Sequence, residues 1–138
     1  MCIRDRFLSV VLLLLCWRGA DFFQHFFGRP RRLDWVVKHE TSFSYPSSHA
    51  AIATGFYALW AMLLYLSDLP SGIRRVSALL LLLFCAAVCW SRLALGAHYL
   101  TDVAGGILLG IVLVSGAGAF VPAGFFGGVA GRLSSSAE

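Results

Sequence analysis

Four long apolar stretches separated by short polar ones organise the chain. The first runs from about residue 7 to 27, apolar in its first half and mixed in its second. The second covers 47–66, with one His at its very start and no other charge. The third covers 76–93 and the fourth 99–120. Each is close to the roughly 20 residues that cross a bilayer's hydrocarbon at about 1.5 Å per residue. The pattern predicts an all-α, integral-membrane helical bundle with about four transmembrane helices. The polar stretches are 28–46, rich in Arg; 67–75, a turn around Pro70 and Gly72; and 94–98, a tight connection ending at His98. Three parts follow: an N-terminal membrane helix (1–23), a core (24–120) and a Gly- and Ser-rich tail (121–138) expected to be loosely ordered. Consecutive spanning helices alternate direction, so the 28–46 and 94–98 connections fall on one side and the 67–75 turn on the other. That parity gathers Arg31, His49, Arg92 and His98 at one membrane face.

Composition agrees. Apolar residues make up 59% of the chain and charged ones 13%, against about 45–50% and about 25% in soluble domains. The net charge of +4 is modest and its basic residues fall in a few places, with no aromatic-basic interleaving, so nucleic acid is not an expected partner. Cys85 and Cys89 lie one helical turn apart without His or carboxylate neighbours and read as small buried apolar residues. The start, Met-Cys-Ile-Arg-Asp-Arg before an apolar run, has a signal-peptide layout, but Arg18 and Asp21 stand where a small-residue cleavage site would be. It reads as a membrane helix with a truncated or artificial start.

Polar groups are costly at membrane depth, about 2.5–3.5 kcal/mol for a central Arg or Asp on insertion scales. Here they cluster in three strings: Gln24 to Arg32, Pro46 to His49, and Ser91 to Asp102. Pro46 suits a helix's first turn, and the N–H groups of Ser47, Ser48 and His49 would then face outward as an anion site. His49 stands there to protonate a leaving oxygen. Arg92 ends one helix and can fork two donors onto phosphate oxygens. His98 opens the next, and Asp102, four residues on, shares its face. A carboxylate on one imidazole nitrogen fixes the tautomer and leaves the other free to attack.

These strings resemble the type 2 phosphatidic acid phosphatase superfamily, which includes lipid phosphate phosphatases and vanadium haloperoxidases. The family pattern is Lys, six residues, Arg-Pro; then Pro-Ser-Gly-His; then Ser-Arg, five residues, His, three residues, Asp. The third string matches at Ser91, Arg92, His98 and Asp102. The second matches at Pro46, Ser47 and His49, with Ser48 in the Gly place. The first matches at Arg31, with Gln24 for Lys and Arg32 for Pro. The resemblance implies a haloperoxidase-like site with His98 as nucleophile forming a phosphohistidine, Asp102 orienting it and His49 as proton donor. Arg31, Arg92, Ser47, Ser48 and Gln24 would lie around the phosphate. It implies no metal and no cofactor. It also implies a six-helix core, so two further helices upstream are expected. Gln24 lacks the charge of Lys, and losing one such donor costs about 10²–10³ in rate, so a slowed enzyme or one with altered substrate choice is expected.

The expected function is therefore a metal-independent membrane lipid phosphatase of lipid metabolism. Its substrate would be a phosphomonoester or diphosphate lipid such as phosphatidate, phosphatidylglycerophosphate or a polyprenyl diphosphate. The alternative is a catalytically impaired lipid-binding or scaffold relative, which Gln24 favours and the intact third string opposes. A soluble haloperoxidase is opposed by the membrane-length runs, and a transporter by the gathering of charge at one face. Arg74 and Arg75 read as cytoplasmic anchors. The 28–46 loop is more basic still, but its Arg residues are assigned to chemistry. The site is thus expected on the periplasmic or outer side of a bacterial inner membrane. His25 and His39 read as interfacial, and Gly105, Gly106 and Gly110 as close helix packing.

Overall fold

The computed structural model describes residues 3–31, 42–65, 67 and 69–120. Arg32, Lys38, His39, Glu40 and the 121–138 tail lie outside the described residues. Four helices are present: α1 (Ile3–Phe27), α2 (Ser48–Tyr65), α3 (Ser71–Ala94) and α4 (Leu100–Phe120). Among the described residues, three helical segments are long and apolar enough to cross a membrane: Arg6–Phe27, Ser71–Ala94 and Leu100–Ala117. The shorter α2, of 18 residues, opens on Ser48 and His49 and packs against all three other helices. The protein is an integral-membrane helical bundle with α2 at its centre.

Lipid solvates apolar side chains as well as a protein core does, so the bundle is held by close approach of small residues rather than by apolar burial alone. A Cβ added at Gly106 would lie 2.4 Å from the Ser47 carbonyl oxygen and 2.8 Å from the Ala50 Cβ. One added at Gly110 would lie 2.7 Å from the Thr54 Cβ. These two glycines, one turn apart, let α4 settle onto the start of α2. The α1–α2 contact works the same way, with the Cys16 sulfur 2.5 Å from where a Cβ on Gly55 would be. Leu12, Cys16, Ala20, Ala51, Leu59 and Val114 form the buried core around these contacts. Cys89 is a buried free thiol, in keeping with its reading as a small apolar residue, whereas Cys85, read the same way, is only half-buried; Cys16 is a further buried free thiol.

Two boundaries differ from the sequence reading. Helix α3 begins at Ser71, directly after Pro70, so Gly72, Arg74 and Arg75 lie within its first five residues instead of in the connection. The Arg74 N–H reaches the Pro70 carbonyl at 3.0 Å and its guanidinium sits 5.3 Å from the centre of the Tyr65 ring, which extends the helix past its apolar run. Pro46 precedes α2 by two residues, and the N-cap is Ser47: its hydroxyl accepts the Ala50 N–H at 3.4 Å. At the other end of the site, Gly28 stops α1 in the left-handed region (φ 57°), its N–H on the Gln24 carbonyl at 3.0 Å. The chain then turns back, and the Ser44 N–H bonds the Arg29 carbonyl at 2.8 Å. That bond ties the returning segment to the end of α1.

Candidate active site

His98 lies two residues ahead of α4, in the connection from α3, and is 3% exposed. Its Nδ1 bonds the Ser44 carbonyl at 3.0 Å, and its Nε2 is 3.3 Å from Arg31 Nη1. A carbonyl only accepts and a guanidinium only donates. The ring is therefore neutral, with its proton on Nδ1 and its lone pair on Nε2 directed at a cation. Burial, joined by the Arg31 charge, pushes the imidazole down from its usual 6.5 to about 4 against the opposing pull of Asp102. His49 adds a smaller push in the same direction.

Asp102 is fully buried and is the third residue of α4. Its Oδ2 accepts the Tyr99 N–H at 2.9 Å, the reach back from the third helical position to the N-cap that closes a helix start. The same oxygen accepts the Ser44 hydroxyl. Its Oδ1 accepts Arg29 Nη1 at 2.7 Å, and that nitrogen also donates to the Thr101 hydroxyl at 2.7 Å. The Arg29 guanidinium lies 4.4 Å from the centre of the Tyr99 ring. Asp102 Oδ2 is 3.6 Å from His98 Nδ1. The expected direct carboxylate–imidazole hydrogen bond is thus replaced by a contact at ion-pair distance, because His98 precedes the helix and its Nδ1 turns to Ser44.

The second string is used differently from expectation. The Ser47 N–H is taken by the Asp102 carbonyl at 2.9 Å, so it is not an outward donor, and Ser47 is fully buried. Gln24 is buried too, its amide donating to the Pro46 carbonyl at 2.9 Å. Both residues join the 42–47 segment to its neighbours: Ser47 to α4, Gln24 to α1. Ser48 is half-buried and His49 exposed at the mouth of α2. His49 also lines a cavity of about 220 Å³ with Ile52, Ala53, Phe56, Tyr57 and Val88, between α2 and α3.

Arg31 is braced by the Ser42 carbonyl and hydroxyl, both at 2.9 Å, and its Nη1 reaches the Ala97 carbonyl at 3.4 Å. Arg92 is attached to that same connector, its carbonyl accepting the Ala97 N–H at 3.1 Å. Its guanidinium Nε donates to Ser91 at 3.2 Å rather than to the His98–Asp102 group. His25 is exposed and edge-on to Phe43, with Nδ1 donating to the Asp21 carbonyl at 2.8 Å.

The sequence leaves Arg29 between an interface anchor and a substrate contact and does not single out Ser44. For Arg29 a signal existed: a carboxylate destined for burial needs a cationic partner, and Arg29 follows the glycine that turns the chain back toward α4. Ser44 gave none, since half of its role belongs to a backbone carbonyl.

The chain is similar in sequence and fold to known proteins. Over 93 residues the chain is 39% identical to dihydrosphingosine 1-phosphate phosphatase of Schizosaccharomyces pombe, covering 62% of this chain and 22% of that protein. Over 103 residues it is 38% identical to phosphatidylglycerophosphatase B of Bacillus subtilis, covering 63% of this chain and 50% of that one. It also superposes on the crystal structure of a transmembrane PAP2 type phosphatidylglycerolphosphate phosphatase from Bacillus subtilis. There the TM-score is 0.75 and the identity 29%, over 84% of this chain and 58% of that one. The chain therefore spans between about a fifth and three-fifths of the length of these relatives. The family profile itself runs almost the whole length of the chain, over residues 7–124. That span takes in all three polar strings, and the chain belongs to the PAP2 superfamily.

Proposed function

We propose that the protein is a membrane lipid phosphatase acting through a phosphohistidine on His98, without a metal. One observation carries the reading: the buried, neutral His98 directs an Nε2 lone pair at Arg31, where a phosphoryl oxygen would arrive. In the first step Nε2 attacks phosphorus, the phosphorus–oxygen bond to the lipid breaks, and His49 as an imidazolium gives its proton to the leaving oxygen. The phosphorylated ring becomes cationic while Nδ1–H still donates to the Ser44 carbonyl, and the Asp102 carboxylate nearby offsets the new charge. In the second step water attacks phosphorus, His49 takes its proton and inorganic phosphate leaves, restoring Nε2. Arg31 and Arg92, with Ser48 at the helix start, would meet the phosphoryl charge.

The membrane setting and the apolar cavity beside His49 support an amphiphilic substrate. Phosphatidate, phosphatidylglycerophosphate, a sphingoid base phosphate and a polyprenyl diphosphate all fit this chemistry. We further infer a site on the periplasmic or outer side of a bacterial inner membrane. The test is phosphate release from phosphatidate and phosphatidylglycerophosphate in detergent with excess EDTA, for the parent and for His98→Ala. Release that survives EDTA and vanishes in the variant is expected. A folded parent that releases nothing from either lipid would sink the enzymatic reading and favour a lipid-binding relative, with Gln24 as its mark.

A further inference from the structure

We propose that Ser44 is the positioning residue that couples Asp102 to His98, its hydroxyl fixing the carboxylate and its carbonyl fixing the imidazole. Ser44 is fully buried and held from three directions. Its N–H donates to the Arg29 carbonyl at 2.8 Å, its hydroxyl donates to Asp102 Oδ2, and its carbonyl accepts from His98 Nδ1 at 3.0 Å. Asp102 stands 3.6 Å from that nitrogen and spends its oxygens on Arg29, Ser44 and Tyr99. The two halves of the pair are thus joined through one intervening residue.

The arrangement has a chemical consequence. A neutral carbonyl holds the Nδ1–H tautomer without adding a charge that would raise the basicity of the resting ring. The carboxylate, one step removed, still stabilises the positive charge that the ring acquires on phosphorylation. Among the described residues, the charged and titratable groups acting on His98 are Arg31 after α1, His49 at the start of α2 and Asp102 in α4. From α3, Arg92 bonds Ser91 instead. Removing the Ser44 hydroxyl leaves the carbonyl in place but releases one of the donors that hold Asp102 Oδ2 away from Nδ1. The carboxylate then closes on the imidazole, and the imidazolium form gains a direct anionic partner.

The kinetic arm of the test rests on His98 as nucleophile; the spectroscopic arm does not. The whole protein, labelled with ¹⁵N in its histidine rings and held in detergent micelles, is titrated by NMR as parent, Ser44→Ala and Ser44→Thr. In Ser44→Ala the His98 titration should rise by about one pH unit. Its kcat should fall about tenfold with KM little changed, the loss expected for one charge-assisted hydrogen bond. Ser44→Thr, which keeps the hydroxyl, should stay near the parent. If its extra methyl prevents folding, Ser44→Cys, a weaker donor of similar size, should fall between parent and Ser44→Ala. Placed in an Asp102→Asn background, Ser44→Ala should add no further shift. An unmoved His98 titration in Ser44→Ala, or the same shift in the presence and absence of the Asp102 carboxylate, would overturn the proposal. A parent without phosphatase activity defeats the functional reading alone, and the NMR titration then decides the role of Ser44.

Discussion

The two histidines of the site live in contrasting surroundings. His98 is buried in a shell whose polar atoms already hold one another: Ser44 to Asp102, Asp102 to Arg29 and Tyr99, Arg31 to Ser42 and the ring itself. His49 is exposed at the first turn of α2, at the rim of an apolar cavity. In the proposed reaction the contrast separates two requirements. A nucleophile gains from being oriented, neutral and desolvated before substrate arrives, because that ordering is completed during folding and not during turnover. A group that must exchange protons with a leaving oxygen and with water gains from being accessible. If this division is right, damage on the His98 side should reach stability and activity together, and damage on the His49 side activity alone.

The largest effect that separates the halves is expected at His49. His49→Gln removes the proposed proton donor and acceptor while keeping a side chain of similar reach at the helix mouth. Its kcat should drop by about 10²–10⁴, the usual contribution of general acid–base catalysis, while the detergent melting temperature stays at the parent value. Assaying a substrate with a good leaving group, such as a nitrophenyl phosphate, should recover much of the loss. A loss of equal size on both substrates would argue that His49 binds rather than protonates.

Arg29→Ala probes the ordered half and should do less to the rate but far more to the fold. It strips a buried carboxylate of a cation at 2.7 Å. Breaking a buried pair typically costs about 3–5 kcal/mol; since Arg29 is partly exposed, about 2 kcal/mol is the expected loss here. The readout is a lowered melting temperature together with reduced kcat, and Arg29→Lys should restore part of both. Unchanged melting would mean that Asp102 is held by Ser44 and Tyr99 alone, and the comparison between halves would lose its basis.

How much of this was legible in the sequence follows from what each residue does. Helices in a bilayer must satisfy every backbone group internally, so four apolar runs of nearly fixed length left little choice of architecture. Parity then brought the three polar strings to one face without any knowledge of packing. The sequence could also single out His49, Arg92, His98 and Asp102 as candidates, because the chemistry restricts the residue types, and the fold sets His98 beside Asp102. What escaped was the use of the backbone. Ser47 looked like an outward anion donor because helix starts offer free N–H groups, but α4 comes close enough, through Gly106, for the Asp102 carbonyl to claim that one. Gln24, expected beside the phosphate, instead donates to the Pro46 carbonyl. Ser44 acts partly through its carbonyl, which every residue has, and so nothing in its identity set it apart.

The finest distinction between the halves is one of pH. His98 is pushed down to about 4 first by burial and then by Arg31, with Asp102 opposing both. Above that value the ring is neutral and Nε2 is free for the proposed attack, so the acid limb of kcat/KM attributable to His98 should lie near 4, well below an ordinary histidine. Protonating Nε2 removes the lone pair, so activity is lost as pH falls through that limb and not as it rises. Arg31→Gln deletes the second cause and leaves the first. The limb should therefore move upward but stop short of 6.5, because the desolvation that dominates the shift remains. Substrate binding will weaken at the same time, since Arg31 is also assigned to the phosphoryl oxygens, so the comparison needs the full pH profile of each protein and not a single rate. A limb that stays at the parent position in Arg31→Gln would show that burial alone sets the ionisation of His98, and Arg31 would then be left with binding as its whole role.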